Sequence, residues 1–150
     1  MMKHVFIFVV NAVSILCVFS YPGYLANLPV NEVPFLCRNG SNEEHTYSIK
    51  YIGHEVCVDK KVITGIFHER NIFGSHFSWN DQDWTKLCQM DSDDDGRSNG
   101  VEMGDPNCEW TPNSNVTLTA VSHPGYSEIA ETSNNGTKYV GECSRVNINC

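Results

Sequence analysis

Between Cys88 and Cys108 the chain runs Asp91-Ser92-Asp93-Asp94-Asp95-Gly96-Arg97-Ser98-Asn99-Gly100-Val101-Glu102, and no compact fold can crowd such a segment without supplying positive charge. Asp91, Asp93 and Asp95 fall at the first, third and fifth positions of a calcium-binding loop. The Arg97 carbonyl falls at the seventh, Asn99 at the ninth and Glu102 at the twelfth. Gly96 stands where the chain must turn sharply around a hard cation that takes about six to eight oxygens. The spacing therefore predicts a Ca²⁺ site of structural type, with Asp91, Asp93, Asp95, Arg97, Asn99 and Glu102 as ligands. A solvated acidic loop without metal is the plain alternative. The eighth position, usually a branched apolar residue that pairs two such loops, is Ser98, and the chain contains one such loop. A paired sensor is thereby excluded. An isolated extracellular site of this kind binds with a dissociation constant on the order of 10⁻⁴ to 10⁻³ M.

The start of the chain reads as an export signal. Lys3 and His4 precede a fifteen-residue run, Val5 to Phe19, that is apolar apart from Asn11 and Ser14. That is shorter than the ~20 residues a spanning helix needs. Val18 and Ser20 supply the small residues of a cleavage site, so residues 1–20 are expected to be removed. Residues 21–150 are then one secreted domain. No later stretch is apolar enough to cross a membrane, and neither membrane insertion nor attraction to anionic lipid is expected.

Cleavage removes Cys17 and leaves Cys37, Cys57, Cys88, Cys108, Cys143 and Cys150. An even set in an exported chain argues for disulfides, although six cysteines permit fifteen connectivities. A bridge between Cys88 and Cys108 would close about twenty residues and contribute roughly 3 kcal/mol. Sequons at Asn39, Asn115 and Asn135 mark candidate glycosylation sites on exposed loops.

Eight acidic residues between Asp81 and Asp105 face only Lys86 and Arg97, a local balance of −6 within a chain of −8. A patch of that sign gathers cations and repels phosphate, which excludes nucleic-acid binding. His45, His54, His68, His76 and His123 show no metal-ligand spacing and read as surface or packing residues. No Gly-x-Ser-x-Gly elbow, phosphate-cradling glycine loop or nucleophile with a partner base is present, so no enzymatic activity is expected.

The expected fold is a small disulfide-stapled α+β domain with much irregular structure: short strands and one helix leading into an EF-hand-like calcium loop. Tyr21 to Pro34, with three prolines, should run extended over the surface. Strand candidates are Tyr47–Ile52, Glu55–Val58, Val62–Phe67 and Val116–Val121. A helix from Ser78 and Asp81 through Met90 should deliver the chain into the loop, with a short turn around Val101 to Met103. The tail after Ser127 has little core-forming material. Trp79, Trp84 and Trp110 flank the loop and read mainly as packing residues.

Trp84-Thr85-Lys86-Leu87-Cys88, the loop, and Met103-Gly104-Asp105-Pro106-Asn107-Cys108-Glu109-Trp110 closely resemble the temptin family of secreted molluscan pheromone proteins. Tyr21-Pro22-Gly23-Tyr24, Val33-Pro34, Gly53-His54, Asn71-Ile72-Phe73-Gly74 and Ser122-His123-Pro124-Gly125 are similar to that family too. The likeness covers most of Tyr21 to Gly125 and is dense from Trp84 to Trp110. It departs at Asp94, where the family usually has Gly, at Ile72, where it has Pro, and in lacking a glycine-rich run after His54. The resemblance implies Cys88–Cys108 and Cys37–Cys143 disulfides, with Cys57 and Cys150 as an additional pair. It also implies a role in waterborne chemical signalling by protein–protein recognition. Partners would be other secreted pheromone proteins or a cell-surface receptor, met by surface residues around Trp110 and the acidic rim. A generic calcium-stabilised matrix or adhesion module, and a small secreted hydrolase using Asp93 and His54, are the rival readings.

Overall fold

The computed structural model describes residues 24–38, 43–58, 61–62, 64–65 and 69–141. The export signal 1–20, Asn39, His68, Cys143 and Cys150 lie outside the described residues. Within them are three separate two-stranded antiparallel ladders and three short α-helices, preceded by a 3₁₀ turn at Leu25–Asn27 in the stretch expected to run extended. The first ladder pairs β1 (Val33–Arg38) with β2 (Glu44–Ile49), from Val33 opposite Ile49 to Arg38 opposite Glu44. Strand period two turns Val33, Phe35 and Cys37 inward, and all three are buried. This strand begins inside the proline-rich stretch that the sequence assigns to extended surface chain. A two-stranded ladder accommodates Pro34 because each strand keeps an edge on which a missing N–H costs nothing. The β2 strand starts at Glu44, three residues ahead of the expected Tyr47, because its outer face needs only polar residues.

A second, minimal ladder pairs β3 (Cys57–Val58) with β4 (Lys61–Val62). The chain then enters α1 (Ile72–Trp79), a helix the sequence reading misses. Gly74 in its middle lowers helix propensity, yet a Cβ there would lie 1.9 Å from the Gly53 carbonyl oxygen. The glycine is required by backbone packing against the 53–54 turn. Asn71 organises this junction from a buried position. Its Oδ1 accepts from Gly74 N at 2.9 Å as the N-cap, while its Nδ2 donates to the carbonyls of Ile52 at 2.8 Å and His54 at 2.9 Å. Phe73 and Phe77, one turn apart, stack at 6.3 Å and fill the core with Phe35, Ile49, Ile52, Leu87 and Met103.

The expected helix over Ser78–Met90 is broken. Asp81 and Gln82 adopt left-handed backbone at φ 60° and 59°, so α1 stops at Trp79 and a new helix starts. That helix, α2 (Trp84–Leu87), is capped by Asp83, whose carboxylate accepts from Thr85 N at 3.0 Å. It still leads directly into the acidic loop. The loop exits into α3 (Asn99–Glu102), close to the expected turn, with Gly104 at φ 79° behind it.

One further expectation fails beyond the loop. Val116–Val121 joins no ladder; it lies extended, held where Val121 N donates to the Glu102 carbonyl at 2.7 Å. The tail forms a regular hairpin, β5 (Glu128–Ser133) with β6 (Gly136–Gly141), around a turn at Asn134 and Asn135. Its core anchors are few, Glu128 and Val140, which is why composition conceals it. A carboxylate fork from Glu131 holds Arg38 of β1 through two 2.8 Å bonds. A Cβ on Gly141 would meet the Phe35 ring at 2.7 Å, so β6 ends against the core.

Replacing Asn71 by Ala removes a helix cap and the two hydrogen bonds donated to the carbonyls of Ile52 and His54. A loss of about 2–4 kcal/mol is expected in urea unfolding of the oxidised protein. A loss below about 1 kcal/mol would mean the junction is held by packing alone.

Candidate metal centre

The two ends of the acidic loop are fastened before the loop itself turns. Cys88 and Cys108 are disulfide-bonded with Cα atoms 5.8 Å apart. Asn99 N donates to the Met90 carbonyl at 2.7 Å and Gly100 N to the Cys88 carbonyl at 2.8 Å. Gly100 has no room for a side chain, since a Cβ would sit 2.4 Å from the Cys88 Sγ. Asp105 locks the exit: its buried carboxylate accepts from the Trp84 indole at 2.8 Å, Glu109 N at 2.9 Å and Trp110 N at 3.2 Å. The lock is the reason the Trp84…Asp105…Trp110 spacing is structural. Cys37 and Cys57 each take part in a disulfide of their own; the expected partners, Cys143 and Cys150, lie outside the described residues.

Inside the loop, Asp91 arranges the backbone. Its Oδ1 accepts from Asp94 N at 2.8 Å and Asp95 N at 3.3 Å, and its Oδ2 from Gly96 N at 2.8 Å. Gly96 takes φ 91° and Asp94 φ 61°, the left-handed conformations that this turn demands. Asp91, Asp93 and Asp95 thereby bring carboxylate oxygens within 4.8 Å of one another. Asp95, Glu102 and a residue absent from the sequence reading, Glu128, form a second group on the same criterion. Asp95 belongs to both. Glu128 comes from the first position of β5, and nothing in its local sequence distinguishes it from a surface acid.

Arg97 takes on a second part beside the expected one. The sequence assigns its carbonyl to a cation; the structure turns its side chain inward as a built-in counter-ion. The guanidinium Nη2 lies 2.5 Å from Asp95 Oδ2, 3.1 Å from Glu128 Oε2 and 3.4 Å from Glu102 Oε1. Its Nη1 donates to Ser122 Oγ at 2.6 Å, and Cζ sits 3.9 Å from the Tyr139 ring centroid. These carboxylates push the Arg97 pKa still higher against the opposing effect of burial. Ser98 also gains a role: as N-cap of α3, its Oγ accepts from Val101 N at 3.3 Å. Helix capping, not loop pairing, accounts for a hydroxyl at that position.

One guanidinium does not satisfy this cluster. Both oxygens of Asp93, Oε2 of Glu102 and Oδ1 of Asn99 are buried without a hydrogen-bond partner. Asn99 and Glu102 are wholly inaccessible, with the Asn99 amide nitrogen pinned to the Leu87 carbonyl at 2.8 Å and Ser92 Oγ at 3.0 Å. Glu102 Oε1 accepts from Ser122 Oγ at 3.0 Å, which leaves its other oxygen unmatched. Burial, then the charges of Asp95 and Asp91, raise the Asp93 pKa to about 7. Burial and the Asp93 charge raise Glu102 to about 9 against the pull of Arg97. Burial raises Glu128 to about 7, again opposed by Arg97. Carboxylate and amide oxygens with no nitrogen or sulfur donor are the set that suits a hard divalent cation.

The remaining candidate residues are dispersed. Trp110 is buried at 9 % exposure and Trp84 at 3 %, whereas Trp79 is 73 % exposed, so the surface aromatic is not the one the sequence favours. His123 is fully buried and held neutral, its pKa pushed down to about 3. Its Nδ1 accepts from Gly125 N at 3.1 Å, and its ring meets the edges of Phe35 and Tyr126. The pocket that Asp93 lines does not include His54, which forms an isolated bridge to Arg70. Asn115 and Asn135 are both exposed. Among the described residues no helix is long and apolar enough to cross a membrane.

The family described as Temptin C-terminal matches residues 18–126, a span that takes in α1, the disulfide-closed loop and the Trp84–Asp105–Trp110 lock but stops short of the hairpin. Temptin of Aplysia californica is 39% identical over 122 residues, covering 78% of this chain and 87% of the relative. No solved structure matches it. With both matches running through most of its length, the chain belongs to the temptin family.

Proposed function

We propose that the protein is a secreted, pheromone-type signalling protein. It acts by recognising another polypeptide in the extracellular medium, with Ca²⁺ and disulfides holding its acidic loop in one conformation. Family membership supports the signalling reading. The observation that carries the metal reading is the set of buried oxygens left without donors: both of Asp93, one of Glu102 and one of Asn99. Leaving such groups unmatched costs about 1–3 kcal/mol each, more where they are charged. Asp91, Asp93, Asp95 and Glu102 would hold the ion through carboxylates, with Asn99 Oδ1 and the Arg97 carbonyl as neutral donors. The ion would supply charge neutralisation alone. Arg97 meanwhile keeps Asp95, Glu102 and Glu128 paired on its own side and orients the hairpin through Tyr139. The export signal over residues 1–20 and glycans at the exposed Asn115 and Asn135 belong to the same reading. No observation favours the matrix-module or hydrolase alternatives.

The oxidised protein in ~10 mM Ca²⁺ should gain roughly 1–3 kcal/mol, a rise of a few degrees in Tm, given affinities of the expected order. Proteolysis across residues 88–108 should slow in parallel, and Asp93→Asn should abolish both effects. Calcium that leaves melting and cleavage unchanged removes the metal from this account.

A pH dependence of opposite sense to ordinary acid denaturation is also expected. In the folded, calcium-stripped chain Asp93, Glu102 and Glu128 keep their protons up to about 7, 9 and 7, against ordinary values of 3.8, 4.5 and 4.5. The folded state therefore binds more protons than the unfolded one between those limits, and these groups lower stability as pH rises through them. Melts in chelator should fall from about pH 5 to about pH 9, and Ca²⁺ should flatten the slope. A calcium-free protein that grows more stable over that range contradicts the burial of these carboxylates. The recognition reading is tested by capture from the secretions of the animal that makes the protein, with and without chelator.

A further inference from the structure

The helix α1 presents two faces of different character. Phe73, Gly74 and Phe77 are buried, while Ile72 is 41% and Trp79 73% exposed. Seven residues apart on a helix of 3.6 residues per turn, Ile72 and Trp79 lie on one side, with His76 between them. The His76 ring stands 5.7 Å from that of Trp79. Its Nδ1 lies 3.0 Å from Ser92 Oγ, which also receives the buried Asn99 amide. The stripe is therefore fastened sideways to the acidic loop. Ile72 and Asp94 line one pocket of about 410 Å³ together with Ser92, Asp93 and Tyr126.

Two exposed carboxylates border this stripe. Asp94 is exposed, lines the pocket beside Ile72 and lies outside the proposed ligand set, so its charge remains with or without a metal. Asp81 follows the helix end with its carboxylate 85% exposed, shared only with Lys86 at 3.1 Å. Arg70 occupies the far flank, where it bonds Ser78 at 3.2 Å. A second copy would bring like charge to like charge, and an anionic membrane would be repelled. An exposed tryptophan on a rigid helix, edged by carboxylates, is the anchor type that dominates protein interfaces.

The geometry points to the Ile72–His76–Trp79 face of α1, with Asp94 at its rim, as the docking surface for a cationic polypeptide segment that carries apolar side chains. This rests on the recognition reading above and replaces Trp110 by Trp79 as the contact. A partner's apolar residues would cover Trp79 and Ile72 while its Lys or Arg side chains meet Asp94. The metal and the Ser92 contact would fix the relative position of stripe and rim.

Three peptides of one length and one amphipathic pattern test it: leucine with lysine, leucine with glutamine, and leucine with glutamate. The oxidised full-length secreted chain should bind the lysine peptide at least tenfold more tightly than the glutamine peptide, and the glutamate peptide not at all. Binding should shift Trp79 emission to shorter wavelength and shield it from iodide. Trp79→Ser should abolish the interaction, and Asp94→Asn should weaken it severalfold while leaving the calcium-dependent rise in Tm intact. Equal affinity for the three peptides, or full binding by Trp79→Ser, overturns the assignment. So does shielding of Trp79 by self-association or by phosphatidylserine vesicles. Capture from secretions separates the two levels. A Trp79→Ser protein that retains the wild-type partner sinks this surface but not recognition. If the wild type captures nothing, the recognition reading falls while the peptides still decide the surface.

Discussion

Five carboxylates packed around one guanidinium set the terms for the rest of this molecule. Asp95, Glu102 and Glu128 share Arg97, and Asp91 and Asp93 adjoin them through Asp95. Desolvated anions at such separations repel strongly, and a single cation offsets only part of that. The cost is reduced in three ways. Loop amides turn inward to Asp91, Ser122 and the Tyr139 ring hold the guanidinium, and burial raises the proton affinity of Asp93, Glu102 and Glu128. A bound divalent ion would add the positive charge that Arg97 alone does not supply.

This arrangement makes the loop the place where distant parts of the chain meet. Arg97 reaches β5 and β6 through Glu128 and Tyr139. Glu102 reaches the 121–122 segment through its backbone carbonyl and its carboxylate. Ser92 joins the loop to α1 through His76. The disulfide between Cys88 and Cys108 and the Asp105 bonds to Trp84 and Trp110 hold the frame against which these links pull. With three separate two-stranded ladders and no continuous sheet among the described residues, the fold relies on such side-chain links. Two-stranded ladders are only marginally stable alone.

The loop was legible because its information is local. Twelve consecutive residues carry the carboxylates and the turn glycine, and Gly104 marks the end of the expected turn. The helix α1 was hidden because Gly74 speaks against a helix locally and is demanded by Gly53, twenty-one residues earlier. The hairpin was hidden because its stability lies in contacts with Arg97, Arg38 and Phe35 rather than in its own apolar pattern. Strand β1 was hidden by Pro34, whose cost vanishes at the edge of a two-stranded ladder.

Residue order by itself settled the character of this protein: an acidic, oxygen-rich turn closed by two cysteines, and a likeness dense enough to name a family. Those features rest on neighbours a few bonds apart, so spacing suffices to read them. Tertiary structure decided which charges are compensated and which aromatic is outside. Glu128 joins Glu102 across twenty-six residues, Arg97 turns its side chain in, Trp110 is covered and Trp79 is left on the surface. Burial and long-range pairing are properties of the packed chain, and no local pattern encodes them.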